Sequence, residues 1–406
     1  MNYHAKSPSN HDDVLNGLAE AIDIGQTKYD DAVERYKSLG RHLDRDGSTI
    51  KHLGPLISPQ GSFLLGLVNR PWDDTEVYDL DLVCRLTASR NNVSQAELKK
   101  LVGGEVVSYA NRHGMEKPED HRRCWRLNYA ESALFHMDIL PAIPDAEGYR
   151  RRLNEAGYGE LARSQDLTGH ALAITDKLHP RYREIHPDWY QSNPTGYAAW
   201  FRQRMAVRAA HTGLLLERQL VTASVDEVPD AKLKTPLQKV IQLLKRHRDF
   251  MFRDDLDDKP ISIIITTLAA HSYNGQSSIS DALEVVLRGM DDHIQNRNGV
   301  AWVANPVNPA ENFADKWAET PAKRANFDRW LDAARRDFAL YLKGSSFLKL
   351  PQQLKESFGQ RAVSEALGPE TVAAPAVHRP SQGDRVAAAA EAARTNRQPA
   401  APWQAE

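Results

Sequence analysis

Cysteine is nearly missing from this chain: of 406 residues, only Cys84 and Cys124 carry thiols. Two sulfurs do not complete a zinc site, which as a rule takes four ligands. Both sit in or beside apolar runs, so they read as buried, reduced thiols of a protein kept in a reducing compartment. Long hydrophobic runs are missing too. The most apolar stretch, Ile261 to Ala270, is too short to cross a bilayer, and the start, Met1-Asn2-Tyr3-His4-Ala5-Lys6, has no apolar core of a signal peptide behind it. A cytoplasmic protein with no membrane partner is expected. Nor is there an excess of charge of one sign: 52 Lys and Arg against 54 Asp and Glu leave a net charge of -2. Proteins that hold long nucleic acids usually show a basic surplus, so no long nucleic acid is expected.

What is present is an ordinary globular composition, 41% hydrophobic and 26% charged, over a length that favours two or three domains. Helical spacing runs from about Asp12 to Leu43, with a break or kink at Gly25-Gln26.

The most informative stretch follows. A turn, Ser58-Pro59-Gln60-Gly61-Ser62, precedes a strand-like run, Val77-Tyr78-Asp79-Leu80-Asp81-Leu82-Val83-Cys84, in which Asp79 stands seventeen residues after Ser62. Glycine lets a backbone approach phosphate closely, and the serine adds a hydroxyl donor. Asp79 and Asp81 are two apart, so on a strand they leave the same face, about 7 Å apart. Two carboxylates that close repel unless a cation neutralises them; magnesium, hard and oxygen-seeking, suits carboxylates and polyphosphate together. A third carboxylate, Asp138, interrupts the apolar run Ala133 to Leu140. Burying it is expensive without a partner, which could be a metal or an arginine such as Arg126; His136 shares its face. The segment Asp73-Asp74-Thr75-Glu76 reads as a solvated loop. Cys124 to Tyr129 and Ala133 to Leu140 read as strands of a hairpin.

Ser94 opens a helix. Tyr149 to about Ser192 is polar and turn-rich. Beyond it the chain reads as mostly helical. Tyr197-Ala198-Ala199-Trp200-Phe201 opens a helix whose aromatics, Tyr197 among them, are candidates either to stack on a nucleobase or to pack between domains. Thr235-Pro236 is a cap followed by proline at the first helical position, and Leu237, Val240, Ile241 and Leu244 make its apolar stripe. Lys245 falls at the edge of that stripe, where the stem stays in apolar contact and the ammonium can point into a cleft. Arg246 and Arg248 read as basic residues favoured by the helix dipole. A helix follows Lys259-Pro260, and Ser280 is the expected cap of another, Asp281 to about Leu287. Ala304 to Pro309 reads as a loop, and Phe327 to Tyr341 as a further helix. After Gly368, alanine and proline dominate and a mobile tail is expected.

Taken together, Gly61-Ser62, Asp79-Leu80-Asp81, Phe135 to Ala142, Asn193-Pro194-Thr195-Gly196-Tyr197, Leu244 to Arg248, Lys259 to Ser262 and Asn305 to Asn308 resemble the bacterial cGAS/DncV-like nucleotidyltransferases, the oligonucleotide cyclases of antiphage signalling. The resemblance implies an α+β fold: a polymerase-beta-like nucleotidyltransferase core with a mixed sheet, joined to a helical domain like that of oligoadenylate synthases, two lobes around a central cleft. It implies a core with its N-terminal helix over 10–190, a helical domain over 191–367 and a tail over 368–406. It makes Asp79, Asp81 and Asp138 the metal triad and catalytic residues. Gly61, Ser62, Lys245, Ser262 and Tyr197 become the nucleotide contacts. Two departures stand out: where the family often has Gly-Thr, this chain has Gly66-Leu67, and the loop from Arg70 to Glu76 is long and acidic.

The activity so implied is the synthesis of a cyclic oligonucleotide second messenger, a cyclic dinucleotide first of all, from ATP and GTP. Two Mg2+ ions would serve it, with Mn2+ as the alternative, in antiphage defence. A separate effector would sense the product, and a ligase-like regulator acting on the tail is a further implied partner. The rival readings are a transferase acting on RNA ends or on a protein, and a binding scaffold on the same fold.

Overall fold

A computed structural model describes residues 10–71, 78–129, 135–206, 234–343 and 350–368. The acidic segment Asp73 to Glu76 and nearly all of the expected tail lie outside the described residues.

Helix α1 (His11–Ala21) is capped by Asn10, whose side chain accepts from Asp13 N, and α2 (Gln26–Leu43) follows the expected break. After them come β1 (Leu56–Pro59), one helical turn α3 (Gly61–Leu64), β2 (Tyr78–Arg85) and α4 (Gln95–Arg112). Helix α4 starts with a full capping box, Ser94 and Glu97 each bonding the other's backbone. Strands β3 (Glu119–Asp120), β4 (Trp125–Asn128) and β5 (Phe135–Pro144) complete the central sheet.

That sheet is mixed. β1 pairs antiparallel with β2, β2 runs parallel to β5, and β4 pairs antiparallel with β5 on its other side. Strand alternation separates its faces. Tyr78, Leu80, Leu82 and Cys84 of β2, with Phe135, Met137 and Ile139 of β5, point into one core with Leu39 and Leu43 of α2 and Leu98, Val102 and Val106 of α4. The opposite face carries Asp79, Asp81, His136 and Asp138. Further along, Val83, Leu140 and Ala142 close it as a small apolar cluster.

The region from Tyr149 to Ser192 is more regular than its polarity suggests. It holds α5 (Ala146–Glu155), α6 (Gly159–Arg163), α7 (Gln165–Thr168), β6 (Leu172–Ile174) and β7 (Tyr190–Ser192). β6 pairs with the far end of β5 and β7 with β6, so they extend the sheet to seven strands. Three-residue strands are too short for alternation to mark them.

The helical half comprises α8 (Pro194–Ala206), α9 (Pro236–Met251), α10 (Ser262–Ser272), α11 (Ile279–Gly289), α12 (Lys316–Glu319), α13 (Pro321–Lys343), α14 (Leu350–Phe358) and α15 (Gln360–Leu367). Helix α11 is capped by Ser278, not by Ser280, whose own N–H is taken by Asp12 Oδ1 at 2.8 Å. Where a loop was expected from Ala304 to Pro309, β10 (Ala304–Asn305) and β11 (Asn308–Asn312) form a tight hairpin. It follows another hairpin, β8 (Gln295–Arg297) and β9 (Val300–Trp302).

Helix α1 buries Val14, Leu15 and Leu18 in the helical cluster, against α15 and α9, while α2 serves the sheet. Gly17 lies so close to α15 that a Cβ there would meet the Ala366 carbonyl at 3.1 Å. Between α1 and α2 the chain thus crosses from one lobe to the other. Among the described residues no helix is long and apolar enough to cross a membrane. Cys84 is buried and Cys124 only half-buried; burial pushes the first thiol up to about 12 and, foremost among several causes, the second to about 11, so both stay protonated.

Candidate active site

The carboxylate face of the sheet opens onto a cleft of about 870 Å³, a ligand-sized volume. Its sheet side is Gly61, Ser62, Asp79, Asp81, Arg126 and His136; its helical side includes Lys245, Arg248, Lys259 and Ser262. Parallel pairing sets Asp81 opposite Asp138, and Asp79 opposite His136. A strand period of two, applied to adjacent strands in this register, is what brings three carboxylates to one patch.

Electrostatics there are strained. Burial, then the charges of Asp138 and Asp79, push the Asp81 carboxyl up to about 6, and Arg126 and Lys245 offset this only in part. Arg126 on β4 takes Asp138 in a two-point bond, Nε to Oδ1 at 2.8 Å and Nη2 to Oδ2 at 2.7 Å. That pairing holds the guanidinium charge even more firmly than usual. Of the two partners open to Asp138 in the sequence, arginine is the one seen. His136 Nδ1 lies 3.9 Å from Asp79 Oδ1.

Gly61 has a left-handed backbone (φ +59), and a Cβ there would stand 2.8 Å from Asp81 Oδ2. Only glycine lets this turn approach the carboxylate so closely. Gln60 N donates to the Asp81 carbonyl at 2.8 Å, fixing the turn to the strand. The next turn is stitched to α9: Gln238 Nε2 donates to Leu65 O at 2.9 Å, Lys245 Nζ to Leu67 O at 2.7 Å and Gln242 Nε2 to Val68 O at 2.8 Å. Gly66 is left-handed and presses against Gln238, so the Gly66-Leu67 pair serves here as a seam between the lobes.

Lys245 is 7% exposed, and burial, aided by the neighbouring charge of Arg248, pulls its ammonium down to about 7. One turn on, Arg248 donates to Pro260 O at 2.8 Å and to Ser262 Oγ at 2.9 Å, and pairs with Asp249. It therefore orients Ser262 at the start of α10. Reading the helix as dipole-compensating overlooks this contact of Arg248 with a cleft-lining serine; its spacing of three from Lys245 was the available signal. Tyr197 is placed elsewhere: it is buried in the helical core, with its hydroxyl on Thr267 Oγ1 at 2.8 Å. Of the two roles open to that aromatic, packing is what its position shows.

Three carboxylates abreast, one of them under-neutralised, are a donor set that fits a hard dication. Their side chains stand apart from one another: among the described residues no three His, Cys, Asp or Glu side chains are grouped closely enough for one ion.

Residues 55–141 match the family model described as "Cyclic GMP-AMP synthase DncV-like, nucleotidyltransferase domain". The chain is 29% identical over 360 residues to a protein of Roseivirga ehrenbergii named c-di-GMP synthase, covering 88% of this chain and 86% of the relative. It is 25% identical to the cyclic dinucleotide synthase CdnG of Bradyrhizobium diazoefficiens over 88% and 82% of the two chains. The solved structure of that CdnG with GTP superposes with a TM-score of 0.63, at 23% identity over 88% of this chain and 98% of the other. Vibrio cholerae DncV superposes with a TM-score of 0.57 at 14% identity, over 88% and 97%. These superpositions establish the shared two-lobed fold.

Proposed function

We infer that this chain, which belongs to the DncV-like nucleotidyltransferases, is an enzyme that joins ribonucleoside triphosphates into a cyclic dinucleotide. The observation that carries the reading is the register of β2 on β5. It sets Asp81, on the wall of a cleft whose opposite wall presents Lys245 and Ser262, beside Asp138 on the neighbouring strand. Both curated relatives bear names for cyclic dinucleotide synthesis, one of them c-di-GMP. A guanine-containing ring is therefore the first product to seek.

Asp79, Asp81 and Asp138 would hold the divalent ions, Mg2+ in the first instance. Such ions, when bound, neutralise the triphosphate and lower the pKa of an attacking ribose hydroxyl. The chain's own groups do the positioning. Ser62 and the backbone of the Gly61 turn face the terminal phosphates from the sheet side. Lys245 meets the triphosphate from α9, and Ser262, held by Arg248, meets it from α10. Pinning the triphosphate at both ends leaves the α-phosphorus facing the aspartates, which is the alignment that in-line displacement needs. Two such displacements at one site, the second closing the linear intermediate, release two pyrophosphates.

The reading extends to signalling against phage, with the product sensed by a separate effector. Its test is direct: full-length protein is incubated with the four labelled ribonucleotides and Mg2+ or Mn2+, and products are identified by mass and nuclease sensitivity. A small product resistant to phosphatase supports it. Label extending RNA, or remaining on a polypeptide, overturns it.

A further inference from the structure

Arg126 and Asp138 are register partners on β4 and β5, so the arginine reaches the carboxylate without stretching. Its fork takes both oxygens of Asp138 at 2.8 and 2.7 Å, and the same Nη2 lies 3.8 Å from Asp79 Oδ1. One guanidinium thus stands between two of the three aspartates. A two-point fork fixes the plane of a carboxylate as well as neutralising its charge. The pair is not sealed: the Arg126 side chain is 27% exposed and that of Asp138 18%, and Arg126 lines the cleft. It can therefore part toward the cleft without disturbing the core.

Strand β4 does not need this pair to stay in place, since it is bonded to β5 along its backbone and buries Leu127. With the arginine where it is, no three candidate ligands among the described residues are grouped for one ion. The charge that Arg126 supplies to Asp79 and Asp138 is the charge that a shared dication would supply.

We propose that Arg126 is a displaceable counter-ion of the aspartate triad, competing with a divalent ion for Asp138. The proposal rests on the reading of Asp79, Asp81 and Asp138 as metal ligands. Metal entry and arginine release are then one equilibrium. The site resists loading by metal alone, and full loading needs the help of an incoming triphosphate.

Mn2+ binding to full-length protein, followed by electron paramagnetic resonance without nucleotide, tests this apart from turnover. Wild type binds Mn2+, and the D79N/D81N double variant loses that binding. D138N identifies the component that depends on Asp138. Arg126→Gln tightens that component by roughly ten- to a hundredfold, the range that a charge-assisted two-point pair contributes. Arg126→Lys, which keeps the charge but loses the fork, tightens it by a smaller factor and decides the matter should R126Q fail to fold. Unchanged or weaker Mn2+ binding in the Arg126 variants, with wild-type binding intact, overturns the proposal. Wild-type protein without any Mn2+ binding that D79N/D81N removes overturns the metal reading beneath it.

Discussion

The ammonium of Lys245 donates to the carbonyl of Leu67 at 2.7 Å, so the residue that faces the cleft from the helical lobe is also fastened to the turn after Gly61-Ser62 of the other lobe. Burial first, then Arg248, brings this ammonium down to about 7. Above that pH the group loses its charge, and on the proposed reading a bound triphosphate would have to restore its proton. KM for the nucleotide should therefore rise as pH climbs from 7 to 9, by up to roughly tenfold per unit, and Lys245→Met should abolish that dependence. Steady-state kinetics across this range check it.

Asp81 should trade stability for function. A carboxyl whose folded pKa is about 6, against about 4 unfolded, binds its proton more tightly in the native state. The stability it contributes is present below pH 4 and is lost as pH rises through 6. Asp81→Asn removes the penalty: in EDTA at pH 7.5 it should melt above wild type, by at most about 3 kcal/mol. Product formation should nevertheless fall by roughly a thousandfold or more. Melting curves and product assays on the same preparation separate the two effects.

Gly61→Ala places a methyl against Asp81 Oδ2 in a left-handed backbone position. A cost of about 1–2 kcal/mol is expected. Activity at a temperature where the variant is fully folded should fall further than that loss explains, because the turn is pushed off the carboxylate. Chemical denaturation and kcat/KM together test this.

His271 should contribute to the acid sensitivity of the helical lobe. Its ring packs on Trp200 at 5.0 Å and on His293 at 5.2 Å. Burial, then the charges of His293 and Arg204, hold its pKa down at about 4. The native state keeps it neutral, so its contribution is complete above pH 6.5 and is lost as pH falls toward 4, up to about 3 kcal/mol. His271→Gln should flatten the slope of stability between pH 7 and 4.5, measured by urea unfolding.

Much of the site could be read along the chain because it rests on local rules. Asp79 and Asp81 leave one face of β2 for the same reason that Leu80 and Leu82 leave the other. The cap at Thr235 and the proline after it announce α9, and the stripe of Val240, Ile241 and Leu244 places Lys245 at its edge. Where side chains obey non-local partners, local rules ran out. Ser278 caps α11 two residues ahead of Ser280, and the Ser280 amide, a first-turn donor, is taken by Asp12, far away in sequence. Strands of two or three residues in β6, β7 and β10 are too short to carry a period, and Tyr197 went to the helical core because Thr267 and its apolar neighbours were there to receive it.

Sequence alone determined the composition of the site: two aspartates at strand spacing, a third in a second strand, a Gly-Ser turn and a lysine on a helical edge. Tertiary structure decided how they meet. Register placed Asp81 against Asp138, the left-handed Gly61 brought the Gly-Ser turn onto Asp81, and α9 bound the turn that follows it through Gln238, Gln242 and Lys245. It also decided that Arg126, a strand away, holds the third carboxylate. Hydrogen bonding between strands and the packing of one lobe on another depend on residues far apart in the chain, and no periodicity within a single segment encodes them.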